Sequence, residues 1–219
     1  MDSFPKNALG MVRKLAEKAA EQPEKAIAFQ GAPGANSHLA ALDYAPDGLP
    51  LPCFSFEDAI DAVKHRKAGC AIIPIENSLN GRVADIHFLL PESGLFIVDE
   101  YFMPIRHCLM AQSADVAIHT AMSHPQALGQ CRHYLRKRGI IPVAYADTAA
   151  AAAFVAQHDD PHAAAIAPRL AAQIYGLQPI EEAIEDAPDN MTRFVVLAPK
   201  AAMPEVNGPL MTTFVFEVK

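Results

Sequence analysis

Apolar residues recur along the chain in two rhythms, a helical spacing of three to four and short continuous runs. Leu9, Val12, Leu15, Ala16 and Ala19 stand at helical spacing with charges between them, so residues 7–21 are predicted to form an amphipathic helix. After Pro23, KAIAFQGAPGANSHLAAL reads as an apolar strand, a glycine-rich turn and a helix capped near Asn36 or Ser37. LPCFSFEDAIDAVKHRKAG predicts a second strand, a Ser55 cap and a helix ended by Gly69. CAIIPIENSLNGRVADIHFLL predicts a buried strand, a polar loop and a third helix. Strand, loop and helix in repeated order imply βαβ units and a mainly parallel sheet.

SGLFIVDEYFMPIRHCLMAQ breaks this rhythm, because two strand-like runs adjoin with Pro104 between them and little turn material. That is how a chain passes from one sheet to a neighbour. A second series follows: TAMSHPQALGQCRHYLRKRG as turn and helix, IIPVAYA as strand, an alanine-rich helix over 148–157, AAAIAP as strand and a helix over 169–175 stopped at Gly176. A last strand is expected over 193–198. The simplest architecture is α/β, with two lobes, one inserted into the other, and flanking helices. The ligand cleft is expected between them, where strand carboxyl ends carry GAPGAN, IENSLNGR, MSHPQ and YADT. The expected boundaries are a helical extension over 1–23, a first lobe over 24–102 with 186–199, a second over 103–185, and a linker with one strand over 200–219.

Composition narrows the function classes. The 219 residues are 51% hydrophobic, enough for substantial cores, and the formal net charge of −7 argues against a nucleic-acid partner. No run approaches the roughly 20 apolar residues that span a bilayer. The charged opening MDSFPKNALGMVRKLAEKAAEQPEK lacks a secretory pattern, so a cytoplasmic location is expected. Cys53, Cys70, Cys108 and Cys131 are widely spaced and fit reduced, mostly buried thiols. The nine histidines show no metal-binding pattern, so no metal is expected.

Several motifs carry candidate chemistry, each with a plain structural reading beside it. In EDAPDNMTRFVVLAP, a hydroxyl and a guanidinium stand at the mouth of an apolar strand, which suits an anionic ligand; a helix cap and a surface arginine explain them equally. Gly31-Ala32-Pro33-Gly34 offers backbone N–H groups to an anion, or is a tight turn. Ser37 is first a cap candidate. Pro74-Ile75-Glu76-Asn77-Ser78 sets acidic and amide groups at a strand end, as a structural turn also does. Ser123 fits the cap of a helix carrying Gln130, and His124 before Pro125 is read as structural ahead of a proton carrier.

The assembly is more specific than its parts. AFQGAPGANS, IPIENSLNGRV, MPIRHCLM, SHPQALGQC, ADTAAAA, AAIAPRLAAQIYGL and DAPDNMTRF occur in this order, and together the chain resembles the catalytic region of prephenate dehydratases over roughly 25–200. The resemblance implies two α/β lobes similar to type II periplasmic binding proteins, with prephenate held between them. It implies conversion of prephenate to phenylpyruvate, water and carbon dioxide, a carbon–oxygen lyase reaction toward phenylalanine, without metal or organic cofactor. It implies a homodimer with a small-molecule substrate and no nucleic-acid or membrane partner. The family's threonine falls on Thr192, which is implied to be catalytic. Its substrate-binding set falls on Arg193 and Phe194 of T-R-F, Asn77 and Ser78 of I-E-N-S, Ser123, Gln130, and Thr148 of the Asp147-Thr148 pair.

Two loops depart from the family's pattern. Ala35 and Asn36 replace a hydroxyl and an aromatic residue, and Arg82, expected to face solvent, stands where a small hydroxyl is usual. TTFVFEVK resembles the first strand of the regulatory ACT domain that commonly follows, so the chain is expected to stop inside that domain. On this reading Arg193 grips the pyruvyl carboxylate, which survives in the product, and Thr192 polarises the departing hydroxyl. The alternatives are arogenate dehydratase, whose substrate carries an amine in place of the keto group, and a non-catalytic two-lobed anion-binding module.

Overall fold

The structure is a computed structural model that describes residues 4–202. In chain order the elements are α1 (Leu9–Glu21), β1 (Ala26–Gln30), α2 (Asn36–Tyr44), β2 (Leu49–Cys53), α3 (Phe56–Lys64), β3 (Cys70–Asn77), β4 (Gly81–Arg82), α4 (Ala84–Glu92) and β5 (Phe96–Pro104). There follow β6 (Cys108–Ala111), β7 (Thr120–Ser123), α5 (Pro125–Gln130), α6 (Arg132–Arg138), β8 (Ile141–Ala144), α7 (Thr148–Val155), β9 (Ala163–Ala167), α8 (Arg169–Tyr175), β10 (Gln178–Glu182) and β11 (Met191–Ala198).

The strands form two sheets. One has the order β2-β1-β3-β11-β5, with β4 paired to the end of β3; the other has the order β10-β6-β9-β7-β8. The expected parallel pairing holds for β2-β1-β3 and for β9-β7-β8. The remaining pairs are antiparallel, so both sheets are mixed. The physical reason is the double crossing. Strand β5 leaves the first sheet for β6, and the chain returns from β10 into β11, which inserts between β3 and β5 against their direction.

The two crossing segments run side by side. Ile105 N–H donates to the Asn190 carbonyl at 2.8 Å, and Ile184 N–H to the His107 carbonyl at 3.2 Å. Glu185 accepts from His107 N–H at 2.9 Å and from Arg106 Nη1 at 2.8 Å. Backbone at the junction is therefore satisfied although it belongs to neither sheet.

The central strands of each sheet are covered on both faces, which explains their near-continuous apolar runs. Ile72, Phe194 and Val196 face α2, while Ala71, Ile73, Val195 and Leu197 pack with α3 and α4 residues. In the second sheet, Met110 and Ala165 pack on the alanines of α7, and Leu109 and Ile166 pack with Leu128 and Leu135 of α5 and α6. Alanine along α7 and β9 permits this close approach. Helix α1 bridges the two: Val12 joins the core around α7, and Ala19 joins the core of the first sheet.

Several local expectations change. Helix α2 starts after Ala35 with no side-chain cap, so neither Asn36 nor Ser37 caps it. Ser55 does cap α3, in a reciprocal box with Asp58. Gly69 lies beyond the end of α3; a Cβ there would stand 2.3 Å from the Glu24 carbonyl, so close backbone approach requires glycine. TAMS is strand β7 rather than a turn, and β10 is an edge strand not foreseen, because its Glu181 and Glu182 break the apolar pattern. The expected ACT-like strand falls outside the described residues.

Candidate active site

A cavity of about 570 Å³ opens where the carboxyl ends of parallel strands in both sheets meet. Gln30 and Asn77 reach it from the ends of β1 and β3, and Thr192 and Phe194 from the start of β11. Gln126, Ala127, Gln130, Ala146, Asp147 and Thr148 reach it from the second sheet's side. Five of the sequence-derived residues therefore share one cavity: Thr192, Phe194, Asn77, Gln130 and Thr148.

Thr192 is buried and stands directly opposite Asn77 in the antiparallel register of β11 and β3. Asn77 Nδ2 donates to Thr192 Oγ1 at 3.0 Å, to Asn190 Oδ1 at 2.8 Å and to the Met191 carbonyl at 3.1 Å. Its Oδ1 accepts from the N–H groups of Leu79 and Asn80 at 3.1 and 3.0 Å. Both ends of the Asn77 amide are thus committed within the protein, and Thr192 is its hydrogen-bond partner at the cavity wall. Because Thr192 Oγ1 accepts from Asn77, its own proton remains for an acceptor in the cavity.

Gln130 is held by His107, whose Nε2 lies 2.7 Å from Gln130 Oε1. His107 is buried, and burial holds its pKa below the ordinary imidazole value, against the opposing pull of Gln130 and Glu185. Neutral His107 with its proton on Nε2 turns the Gln130 NH₂ group away from itself. Asp147 caps α7, accepting from the Ala150 N–H at 2.8 Å, and presents Thr148 at the first turn. Desolvation in the cleft raises the Asp147 pKa, while N–H groups of Ala150 and Ala149 and the charge of His124 oppose it.

Three expected ligands do not line the cavity. Arg193 follows Thr192 in a strand, so its side chain takes the opposite face. Its Nε donates to Glu100 Oε2 at 2.8 Å, and its guanidinium lies 5.9 Å from the centre of the Phe102 ring. Ser78 joins the ends of β3 and β11, its Oγ accepting from Met191 N–H at 3.0 Å and donating to Asn190 Oδ1 at 3.3 Å. Ser123 is fully buried and donates to the Ile166 carbonyl at 2.6 Å. Nor does Ser123 cap α5; His124 does, through Nδ1 and the Gln126 N–H at 3.3 Å. The G-A-P-G turn packs the two halves together instead of cradling an anion. A Cβ on Gly34, whose φ is +97°, would lie 2.9 Å from Ala171 Cα, and Tyr175 Oη donates to the Pro33 carbonyl at 2.8 Å.

Positive potential reaches the cavity by other routes. Arg82, expected to face solvent, is exposed yet lines the wall. Helix α2 points its first turn inward through Ala35, Asn36 and Ser37, without a side-chain cap on its N–H groups. Helix α4 contributes Val83, Ala84 and Asp85 in the same sense, also without a side-chain cap.

Residues that the motif reading passed over include Asn190, His107 and Asp85. Asn190 is fully buried and anchors Asn77. Its position two residues before Thr192 was the available signal. His107 gave no local sign, since its partner Gln130 is 23 residues away. The thiols stay out of the chemistry: all four cysteines are free, none lines the cavity, and burial pushes Cys53 up to about 12 and Cys70 and Cys108 up to about 11.

Fold and site define an α/β protein of two mixed sheets whose shared cleft offers hydroxyl, amide and positive groups to a small anion. A family model described as prephenate dehydratase matches residues 27–202. Over 201 residues the chain is 43% identical to a bifunctional N-acyl-homoserine lactone acylase/prephenate dehydratase of Komagataeibacter europaeus, covering 89% of this chain and 70% of the relative. It is 41% identical to arogenate dehydratase/prephenate dehydratase 6, chloroplastic, of Arabidopsis thaliana, covering 87% of this chain and 47% of that protein. A solved prephenate dehydratase of Arthrobacter aurescens in complex with L-Phe is 31% identical with a TM-score of 0.75, covering 82% of this chain and 62% of that one. The chain belongs to the prephenate dehydratase family. It spans about half the length of the plant relative.

Proposed function

We propose that this chain catalyses the decarboxylating dehydration of prephenate to phenylpyruvate, water and carbon dioxide. The observation that supports it most directly is the Asn77–Thr192 hydrogen bond of 3.0 Å at the cavity wall. Loss of carbon dioxide supplies the electron pair that expels the ring hydroxyl as the ring becomes aromatic. Thr192, made a donor by Asn77, hydrogen-bonds that oxygen as negative charge develops on it. An unperturbed hydroxyl is a weak acid, so Thr192 polarises the leaving group without surrendering its proton, and the departing hydroxide becomes water with a proton from solvent in the open cleft. Gln130 and Thr148 supply neutral polar contacts, and Phe194 offers an apolar wall to the ring.

The same proposal assigns the two sheets to lobes over 24–102 with 186–199 and over 103–185, closing on the substrate, in a homodimer. Four free thiols support a reducing, cytoplasmic location. A second reading, arogenate as substrate, is favoured by the Asp85 and Asp147 carboxylates in the lining, which suit an ammonium. Of the two histidines in the cavity lining, His107 faces Gln130 and His124 faces the Gln126 N–H, so neither is paired with a hydroxyl as a base would be with a nucleophile.

Incubation with prephenate and with arogenate, followed by ultraviolet detection of the aromatic product, tests the reading. Thr192→Ala is expected to lower turnover by about 100-fold or more, and Thr192→Ser to retain most of it. Absence of product from both substrates, or near-normal turnover in Thr192→Ala, overturns it.

A further inference from the structure

Arg82 stands on β4, which pairs with the end of β3, Glu76 opposite Arg82 and Asn77 opposite Gly81. Val83 N–H closes the hairpin on the Ile75 carbonyl at 3.0 Å. Inside the turn, Asn77 Oδ1 holds the Leu79 and Asn80 N–H groups. The side chain that directs the Thr192 hydroxyl therefore also shapes the hairpin that carries Arg82 to the cavity wall.

Among the described residues, Arg82 is the only lysine or arginine in the cavity lining, and it makes no ion pair. Arg106, Arg138, Arg169 and Arg193, by contrast, each face a glutamate. With Asp85 and Asp147 in the lining and a net charge of −7, the cavity needs a local cation to admit an anionic substrate. A guanidinium presents a planar fork of donors that matches a carboxylate in two parallel hydrogen bonds.

We propose that Arg82 binds the carboxylate of the substrate's three-carbon arm and selects an arm bearing a keto group over one bearing an ammonium. This rests on the proposed reaction. The arm carboxylate is the partner because it persists into the product. The ring carboxylate leaves as neutral carbon dioxide, and a guanidinium fixed on it would stabilise the ground state and slow its departure. Selection follows from charge: the amine of arogenate adjoins the same carboxylate, and the guanidinium repels it. The role foreseen for Arg193, which is tied to Glu100, thus falls to a residue from a different strand.

Arg82→Ser and Arg82→Lys, measured with prephenate and arogenate and by calorimetric titration with phenylpyruvate, test this. In Arg82→Ser, the prephenate KM and the phenylpyruvate Kd should each rise by about 30-fold with kcat little changed, and Lys should recover part of the loss. The ratio of kcat/KM for prephenate over arogenate should fall by about tenfold. If Arg82→Ser and the parent protein bind phenylpyruvate alike, absence of binding in both included, the proposal is overturned. If the parent protein turns over neither substrate, the reaction reading fails, and the phenylpyruvate titration still decides the role of Arg82.

Discussion

Asn77 Nδ2 donates to Thr192 Oγ1 across 3.0 Å, although the two residues are 115 positions apart. Their strands run antiparallel with these residues directly opposite, so the side chains share one face of the sheet. An amide with all its groups committed gives the hydroxyl one remaining direction for its proton, which is the cavity. Asn190 completes the arrangement from beneath by accepting from the same nitrogen.

Asn77→Ala removes the group that orients Thr192 while leaving the hydroxyl in place. Turnover should fall by about 100-fold, as a misdirected catalytic group costs, with phenylpyruvate affinity little changed. Steady-state rates paired with calorimetric titration check this. A rise in Kd with unchanged kcat would instead make Asn77 a direct ligand.

Arg193→Lys should leave the substrate KM unchanged, because the side chain lies on the face away from the cavity. It should cost about 1 kcal/mol of stability through the lost Nε bond to Glu100 and the weakened contact with Phe102. Urea unfolding beside a KM measurement separates the two effects.

His38 makes the fold sensitive to acid. It is buried, accepts from the Gly34 N–H at 2.9 Å through Nδ1, and stacks on Phe29 at 4.9 Å between ring centres. Burial lowers its pKa from 6.5 to about 4. Stability from the neutral ring is present above pH 6.5 and is lost as pH falls toward 4, because the unfolded chain takes up the proton first. His38→Asn, which keeps an acceptor for Gly34, should lose less stability than the parent protein between pH 7 and 4, by about 3 kcal/mol. Urea midpoints at the two pH values measure this, and His107, also depressed by burial, contributes in the same direction in both proteins.

Much of this architecture was legible along the chain. The apolar runs of β1, β3, β9 and β11 betray strands covered on both sides, and the passage at Pro104 betrays the change of sheet. The Ser55 capping box was legible because its partners are three residues apart. Strand β10 was not, since its partner β6 supplies the pairing that its own polar residues do not advertise.

For the site, short-range pattern marked the segments that reach the cavity, and tertiary structure decided which of their side chains line it. Thr192 and Arg193 are neighbours in any motif, yet strand geometry sends them to opposite faces, and Glu100 on β5 takes the guanidinium. Ser123 was a plausible ligand until the Ile166 carbonyl, 43 residues away, claimed its proton. Arg82 stood out along the chain as a departure expected to face solvent, and the pairing of β4 with β3 brings it to the cavity wall. The division has a physical cause. Hydrophobic period and capping act over a few residues, whereas burial and the partner of a hydroxyl or guanidinium are set by whatever distant strand packs beside it.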